Sequence, residues 1–483
     1  MILILIPLLF LTAVLLARLP FGARVAPVAT VVLSATALAL AAVTARQVAA
    51  DREVSAVTGW VGVDGCGAVL LLLNTFISTT AALFSCGYLA HHGTRPERIR
   101  AYYTHFNLFT FALALVPVLA EPALTWIAIE FTAVFSVLLV AFDNSHAALE
   151  AAWKYIALMF MGAAIALVGF FVLFWAQQVG GGGVYSWDGL REAAPHMPPA
   201  LLVAAFLLVL VGFGVKVGFV PLHTWLPDAH SQAPSPVCAL LSGIKTTNAL
   251  YVILRLAQLV PADRTRDWML VVGLLSAGTA AFLLLQVRDY KRLFAYSTVE
   301  HMGIIFVAAG LGAPGGAYAA MLQIVSHSVT KSFCFFAAGA ALLVVGTRDI
   351  PSVRGLIRTS PVAGAALLAG ALAIGGAPPF AVFVSEFSIF QAGLAQGRYL
   401  VTALLVGVIT TAFFGILLQV HRMVFGRPPD RVPADTPAPL PFTCMAALAV
   451  AAVPMVVLGL YQPATLHALL VLAASNLTPL SAP

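Results

Sequence analysis

Apolar runs of about 18–25 residues recur from one end of this chain to the other, and each can cross the roughly 30 Å hydrocarbon core of a bilayer as a helix. In lipid, backbone polar groups must be paired within the protein, so repeated runs of this kind restrict the fold to a bundle of helices. Composition agrees. Hydrophobic residues make up 61% and charged residues 9% of the 483, far too little charge to clothe a soluble domain of this size. The expected fold class is an all-α polytopic membrane protein.

About fourteen spans are expected, near 1–17, 25–45, 66–90, 103–120, 123–142, 153–178, 200–225, 234–258, 267–287, 295–312, 316–346, 361–391, 399–425 and 438–460. The segment 463–477 is too short to assign. The first run has no basic residue before it, and Arg18 follows it, so it is expected to be a retained span and not a signal peptide. The hydrophilic stretches between spans leave no room for a soluble catalytic domain.

Basic residues orient the spans. Setting aside three lysines inside helices, loops after odd-numbered spans carry 15 Lys and Arg residues and loops after even-numbered spans carry 7. The positive-inside rule then puts the odd loops in the cytoplasm and both termini on the periplasmic side of a bacterial cytoplasmic membrane.

Cys66, Cys86, Cys238, Cys334 and Cys444 stand apart, with no spacing suited to zinc, haem or an iron–sulfur cluster. The Gly180 to Gly183 run lacks the Lys-Ser/Thr that would make a phosphate loop. No cofactor, metal or nucleic-acid partner is expected. In a redox machine, electron transfer would belong to another subunit.

The most informative residues are charges placed within apolar spans. A charge at mid-membrane costs on the order of 3 kcal/mol even on lenient scales, yet Glu130, Lys216, Lys245, Lys331 and Glu386 all fall inside spans. Three of the five lysines of the chain are in this group. A desolvated lysine can release its proton near neutral pH, whereas arginine stays charged whatever surrounds it. His301 and His327 lie in neighbouring spans, and His327 is four residues from Lys331, on the same helix face. A proton relay through Glu130, Lys216, Lys245, His301, His327, Lys331 and Glu386 is the expected chemistry. His223, at the end of the seventh span, and Asp228 and His230, in the turn after it, are candidates for a channel mouth; capping is an equal reading for Asp228 and His230 and the favoured one for Asp228.

Prolines interrupt two spans near these charges. Lys216 precedes Val220-Pro221 and Leu226-Pro227, and Gly375-Gly376-Ala377-Pro378-Pro379 precedes Glu386. Such breaks are tolerated where they line a cavity, and matched breaks in two halves point to a transport site. Glu130 and Lys216 are 86 residues apart, and His301 and Glu386 are 85. Spans four to eight and nine to thirteen would then be two five-helix units. An odd number of spans per unit makes the second an inverted copy. The expected organisation is a three-helix segment over 1–100, repeats over 101–260 and 261–430, and a terminal helix and tail over 431–483.

The segment Val217-Gly-Phe-Val-Pro-Leu-His-Thr-Trp-Leu-Pro-Asp-Ala-His-Ser-Gln-Ala-Pro-Ser-Pro-Val237, continuing to Leu241-Ser-Gly-Ile-Lys245, resembles the signature of the antiporter-like subunits of proton-pumping NADH:quinone oxidoreductase. That family also includes Mrp-type Na⁺/H⁺ antiporter subunits and the membrane arms of energy-converting hydrogenases. Val63-Asp-Gly65, Tyr296-Ser-Thr-Val-Glu-His-Met-Gly303 and Gly376-Ala-Pro-Pro-Phe380 extend the resemblance over nearly the whole chain. It implies fourteen core helices with two inverted five-helix repeats. Glu130 resembles the glutamate that tunes a lysine on the broken seventh span, here Lys216, and Lys245 resembles the connecting lysine. His301 and His327 resemble bridging histidines, and Glu386 the distal acid.

Within the family, Ile350-Pro-Ser-Val-Arg-Gly-Leu-Ile-Arg358, Ala377-Pro-Pro-Phe-Ala-Val-Phe-Val-Ser-Glu-Phe387 and Thr246-Thr-Asn-Ala249 look most like hydrogenase-4 component F. The branch implies a proton-translocating subunit of a hydrogenase-type or respiratory complex, partnered by other membrane subunits and a peripheral redox module. The competing readings are a Mrp-like Na⁺/H⁺ antiporter subunit, a membrane subunit for inorganic-carbon uptake, and a quinone-reactive enzyme subunit.

Overall fold

The computed structural model describes residues 1–57, 59–312, 315–427 and 439–477. Among these described residues, twenty α-helices follow in chain order. The first six are α1 Ile2–Arg18, α2 Gly22–Asp51, α3 Gly65–His91, α4 Pro96–Leu115, α5 Pro122–Val140 and α6 His146–Val179. Then come α7 Trp187–Ala193, α8 Pro199–Val217, α9 Trp225–Gln232, α10 Ser235–Leu240, α11 Thr246–Ala257 and α12 Ala262–Leu284. The last eight are α13 Tyr290–Gly310, α14 Gly315–Val345, α15 Leu356–Thr359, α16 Pro361–Ile374, α17 Ala381–Ala395, α18 Tyr399–Phe425, α19 Phe442–Leu460 and α20 Ala464–Asn476.

Local chemistry sets the starts. Asp64 accepts from the Gly67 amide to cap α3, Ser145 from Ala148 to cap α6, and Asp289 from both Lys291 and Arg292 to cap α13. Proline opens α4, α5, α8 and α16, where its missing N–H costs nothing.

Among the described residues, eleven helices are long and apolar enough to cross a membrane, counting α10–α11 as one. Four shorter apolar helices, α1, α16, α17 and α20, accompany them. The expected span at 361–391 is thus two helices, and 463–477, left unassigned above, forms α20 against α3. The centre of the bundle is the continuous rod α10–α11 with α3, α13 and α14 around it, while α2, α18 and α19 expose most of their surface. Lipid tails are as apolar as leucine, so packing between these helices depends on close approach. Gly162 of α6 faces Gly212 of α8, and Gly273 of α12 faces Gly303 of α13. A Cβ at Gly212 or Gly303 would lie 2.5 Å from the facing backbone.

One face of the bundle carries a small antiparallel hairpin, β1 Val54–Val57 and β2 Val61–Val63. It is tied to the loop before α5 by Ala120 N–H donating to Trp60 O at 3.0 Å, and α7 joins through Trp187 N–H to Ala120 O at 3.0 Å. The opposite face opens into a cavity of about 680 Å³ lined by Arg95, Arg98, Lys291 and Arg348, with Asp143.

Two basic residues counted above as loop charges belong to the interior. Arg255 is buried in α11, paired with Asp64 at 2.5 Å and donating to the Tyr251 hydroxyl at 2.8 Å. Lys291 is buried in the first turn of α13, donating to Ser231 O and Ala233 O. Both charges are needed by internal partners, which a count along the sequence cannot register. Arg431 and Pro483, which enter the orientation argument, lie outside the described residues, as does the boundary between 430 and 431.

Candidate functional site

Helix α8 stops because Gly218 turns left-handed, with φ of +89°, and both Gly218 and Phe219 donate back to Gly214 O. The next residues, through Pro221, cannot continue the helix, and α9 restarts at Trp225. The polar groups released by the break find side chains. Trp225 Nε1–H donates to Val215 O at 2.7 Å, and Val220 N–H to Ser276 Oγ at 3.1 Å. Both of these backbone groups are thus paired within the protein, as an apolar setting requires.

One turn before it, Lys216 is wholly buried and its ammonium lies 3.0 and 3.1 Å from the two carboxylate oxygens of Glu130 on α5. The residue pair expected from sequence is thus an ion pair.

Lys245 belongs to a π-helical turn, Leu241–Lys245, that joins α10 to α11. Such turns insert a residue into the helix and are frequent at functional sites. The wider turn shifts the backbone, and Ser328 Oγ–H of α14 donates to Gly243 O at 2.6 Å. Lys245 itself is buried, with no carboxylate within 4 Å among the described residues. Its ammonium lies 4.1 Å from the Trp225 ring centroid, 4.8 Å from that of Tyr155, and 3.2 Å from Met159 Sδ.

The π-turn also meets the histidines. His327 of α14 donates from Nε2 to Ser242 O at 3.3 Å, and its Nδ1 is buried without a partner among the described residues. The His327 and His301 rings are 5.2 Å apart, centre to centre. His301 donates from Nε2 to Ile374 O at 2.9 Å and accepts at Nδ1 from Gln323 at 3.0 Å; these partners assign the neutral tautomer. Ile374 is the last residue of α16, so His301 pairs a carbonyl released by the second break, as Trp225 does at the first.

Lys331, one turn from His327, does not bond to it. It reaches across to α13, donating to Phe294 O at 2.7 Å and to the Ser297 hydroxyl. Among the described residues, no carboxylate lies within 4 Å of it.

The second break runs from Gly375 to Phe380. Gly376 has φ of +77°, and a Cβ there would stand 2.1 Å from Glu386 Oε2. The glycine is needed twice, for its backbone and for the space its missing side chain leaves to the carboxylate. Glu386 is buried and has no cation within 4 Å among the described residues.

The three candidates for a channel mouth separate. Asp228 sits at the rim, paired with Arg292 at 2.7 Å and Lys154 at 3.5 Å. His223 is half-buried with its ring 6.4 Å from Tyr296. His230 is fully buried inside α9, hydrogen-bonded through Nδ1 to Leu226 O at 2.8 Å and 5.2 Å from the Phe335 ring.

Glu300 was not singled out by sequence reasoning. It precedes His301 on α13, is 3% exposed, and leaves Oε2 without a hydrogen-bond partner. Lys331 and Glu386 both lie within reach of its charge. The signal was available, since it is an acid in an apolar run beside a candidate histidine. Trp225, Tyr155, Gln323 and Ser297 had no such signal, because their roles depend on which helix faces which. Among the described residues, no three His, Cys, Asp or Glu side chains group as metal ligands would.

Comparison with known proteins accounts for the arrangement. Residues 120–414 match the transmembrane family model of NADH:quinone oxidoreductase and the Mrp antiporter. The chain is 38% identical over 377 residues to a hydrogenase-4 component F homolog of Methylacidiphilum infernorum, covering 76% of this chain and 79% of that one. It is 27% identical over 426 residues to NADH-quinone oxidoreductase subunit N of Desulforudis audaxviator, covering 83% and 81%. In fold it matches a chain of the Mrp complex from Dietzia sp. with a TM-score of 0.88, covering 99% of this chain and 97% of that one at 22% identity. With two helices broken at buried charges and a family match over more than half its length, this chain is an antiporter-like membrane subunit belonging to the NADH:quinone oxidoreductase/Mrp antiporter family.

Proposed function

We propose that the chain moves protons across the membrane along one buried line of ionisable groups, as part of a respiratory or hydrogenase-type redox complex. A single observation carries this reading: ionisable groups stand at intervals through the interior from one broken helix to the other. Glu130 and Lys216 meet at the first break, and Lys245 follows on the π-turn. That turn is bonded to His327, whose ring faces His301. His301 reaches the second break, and Lys331, Glu300 and Glu386 complete the far end.

The ion is H⁺. A sodium site needs several oxygen ligands around a partly dehydrated ion. This line is mostly nitrogen, and its carboxylates are spread over three helices. Imidazoles and lysines able to lose a proton pass H⁺, and a lysine that holds its proton repels Na⁺. The test is transport by the assembled complex in proteoliposomes, with sodium varied and a protonophore added. Proton movement independent of sodium and collapsed by the protonophore is expected. Coupling that requires sodium and survives the protonophore overturns the reading and favours a Na⁺/H⁺ antiporter subunit.

The same reading gives fourteen crossings, with α8–α9 and α16–α17 each counted as one broken span, in a bacterial cytoplasmic membrane. α4 to α11 and α12 to α18 form the two inverted repeats, whose third members, α6 and α14, are the longest helices at 34 and 31 residues. Both termini then face the periplasm. A reporter fused after Pro483 is expected to be active outside the cytoplasm, and strong cytoplasmic activity sinks this topology.

A further inference from the structure

We propose that Trp225, Tyr155 and Met159 form a neutral cage that holds the ammonium of Lys245, so that this lysine carries its charge on aromatic faces and not on a carboxylate. The inference rests on the proton-transfer reading above and names the residues that position its central lysine. Both ring centroids lie well inside the roughly 6 Å range of a cation–π contact.

The cage is built rigidly. Tyr155 is fixed by its hydroxyl to Ser136 Oγ at 2.6 Å, and it meets Trp225 edge-on at 5.0 Å. Trp225 is pinned to Val215 O, the neighbour of Lys216, so the cage is fastened to the first break.

Among the described residues no carboxylate stands within 4 Å of Lys245, and Glu130 and Lys216 act on it only from further off. Glu130 on α5 is turned to Lys216 of α8, accepting from its ammonium at Oε2 with Oε1 3.0 Å away. His230 on α9 and His327 on α14 are bonded to backbone carbonyls, and α6 offers the Tyr155 phenol. A lysine paired with a carboxylate is held by a charge that must itself be compensated when the proton leaves. One held by aromatic quadrupoles leaves behind only neutral rings, which suits a station that the proton occupies in passing.

The first measurement is tryptophan emission of the full chain against pH. The difference between wild type and Trp225→Phe isolates the Trp225 signal. That signal is expected to titrate in wild type and to lose its pH dependence in Lys245→Met. A Trp225 signal that does not titrate, or that titrates unchanged in Lys245→Met, overturns the cage.

The second is proton flux into liposomes holding the complex isolated through a tag on this chain, driven by a potassium diffusion potential. Tyr155→Phe keeps the ring and is expected to keep most of the flux. Tyr155→Leu is expected to lower it roughly five-fold. It should also move the alkaline limb of the pH profile to lower pH, because only the protonated lysine gains from the ring. Lys245→Ala separates the two ideas. If it abolishes flux while Tyr155→Leu leaves rate and profile unchanged, the relay stands and the cage falls. If Lys245→Ala conducts normally, the relay through Lys245 falls and the cage with it.

Discussion

In α8 the charge comes before the break, and in α17 it comes after. Lys216 lies in the last turn of its half-helix, two residues ahead of Gly218, whereas Glu386 is the sixth residue of the half-helix that restarts at Ala381. A break at mid-membrane creates a helix C-terminus, with partial negative charge, and an N-terminus, with partial positive charge. The first half of the molecule places a cation at the C-terminal end, and the second half places an anion near the N-terminal end. Each sign matches its helix end. The 86- and 85-residue spacings therefore pair groups that are not equivalent in three dimensions. Glu130 touches Lys216, but His301 bonds to the carbonyl of Ile374 on the near side of the second break, not to Glu386.

The halves also differ in compensation. The first holds an ion pair; the second holds Lys331 on neutral oxygens and, among the described residues, leaves Glu386 without a cation within 4 Å. The largest expected effect follows from the ion pair. Lys216→Ala leaves the half-buried Glu130 without its partner, a loss of up to about 3–5 kcal/mol, the cost of breaking a fully buried pair. Proton transport by the complex should drop on the order of 100-fold, with the protein still inserted. Lys216→Arg restores the pair but cannot release its proton, so it should not rescue. Full transport in the arginine variant would mean that the first half needs only a fixed positive charge.

Glu300→Gln tests whether the second half has a hidden counterpart to Glu130. The amide keeps the shape and removes an ionisable group close to Lys331 and Glu386. Transport should fall about ten-fold, the scale of one lost buried charge interaction of ~1.4 kcal/mol. Unchanged transport would show that Lys331 works without any acid, and the contrast between the halves would sharpen.

Gly376→Ala asks how closely the second break is fitted to its carboxylate. The new Cβ meets Oε2 of Glu386, the free end of a flexible side chain, so the carboxylate turns away and the backbone does not have to move. The left-handed φ adds a cost of about 1–3 kcal/mol. Several-fold slower transport and a lowered Tm are expected. A lowered Tm with transport intact would detach Glu386 from the path.

Much of this was legible in the sequence because a membrane penalises misplaced charge so heavily. Glu130, Lys216, Lys245, Lys331 and Glu386 declared themselves by lying in apolar runs, and both breaks by Gly and Pro beside them. What stayed hidden depends on which helices face each other. That Trp225 pairs the Val215 carbonyl, that Ser242 lies under His327, or that Gln323 fixes the His301 tautomer requires contacts between residues far apart in the chain. The π-turn at Leu241–Lys245 carries no Gly-Pro signature to give it away. Arg255 and Asp64 were hidden for the opposite reason, since each sits near a span end and reads as an ordinary loop charge until the two are brought together.

The smallest effect expected is also the one that most directly weighs the two halves against each other. Ser297 gives Lys331 a hydroxyl where Glu130 gives Lys216 a charge. Ser297→Ala removes one neutral partner and leaves Phe294 O in place. A hydrogen bond to a charged group contributes about 1.5–3 kcal/mol, but the remaining carbonyl and any water entering the vacated space recover part of it, so the net loss is ~1 kcal/mol. Transport should fall roughly five-fold, much less than the loss on removing Lys216. Measured side by side in the same liposomes, Ser297→Ala and Glu130→Gln give the ratio between a neutral and a charged counter-group. If the serine variant is as damaging as the glutamine variant, Ser297 is not merely solvating Lys331. Its hydroxyl would then lie in the chain that hands the proton on, and the second half would differ from the first in its route as well as its compensation.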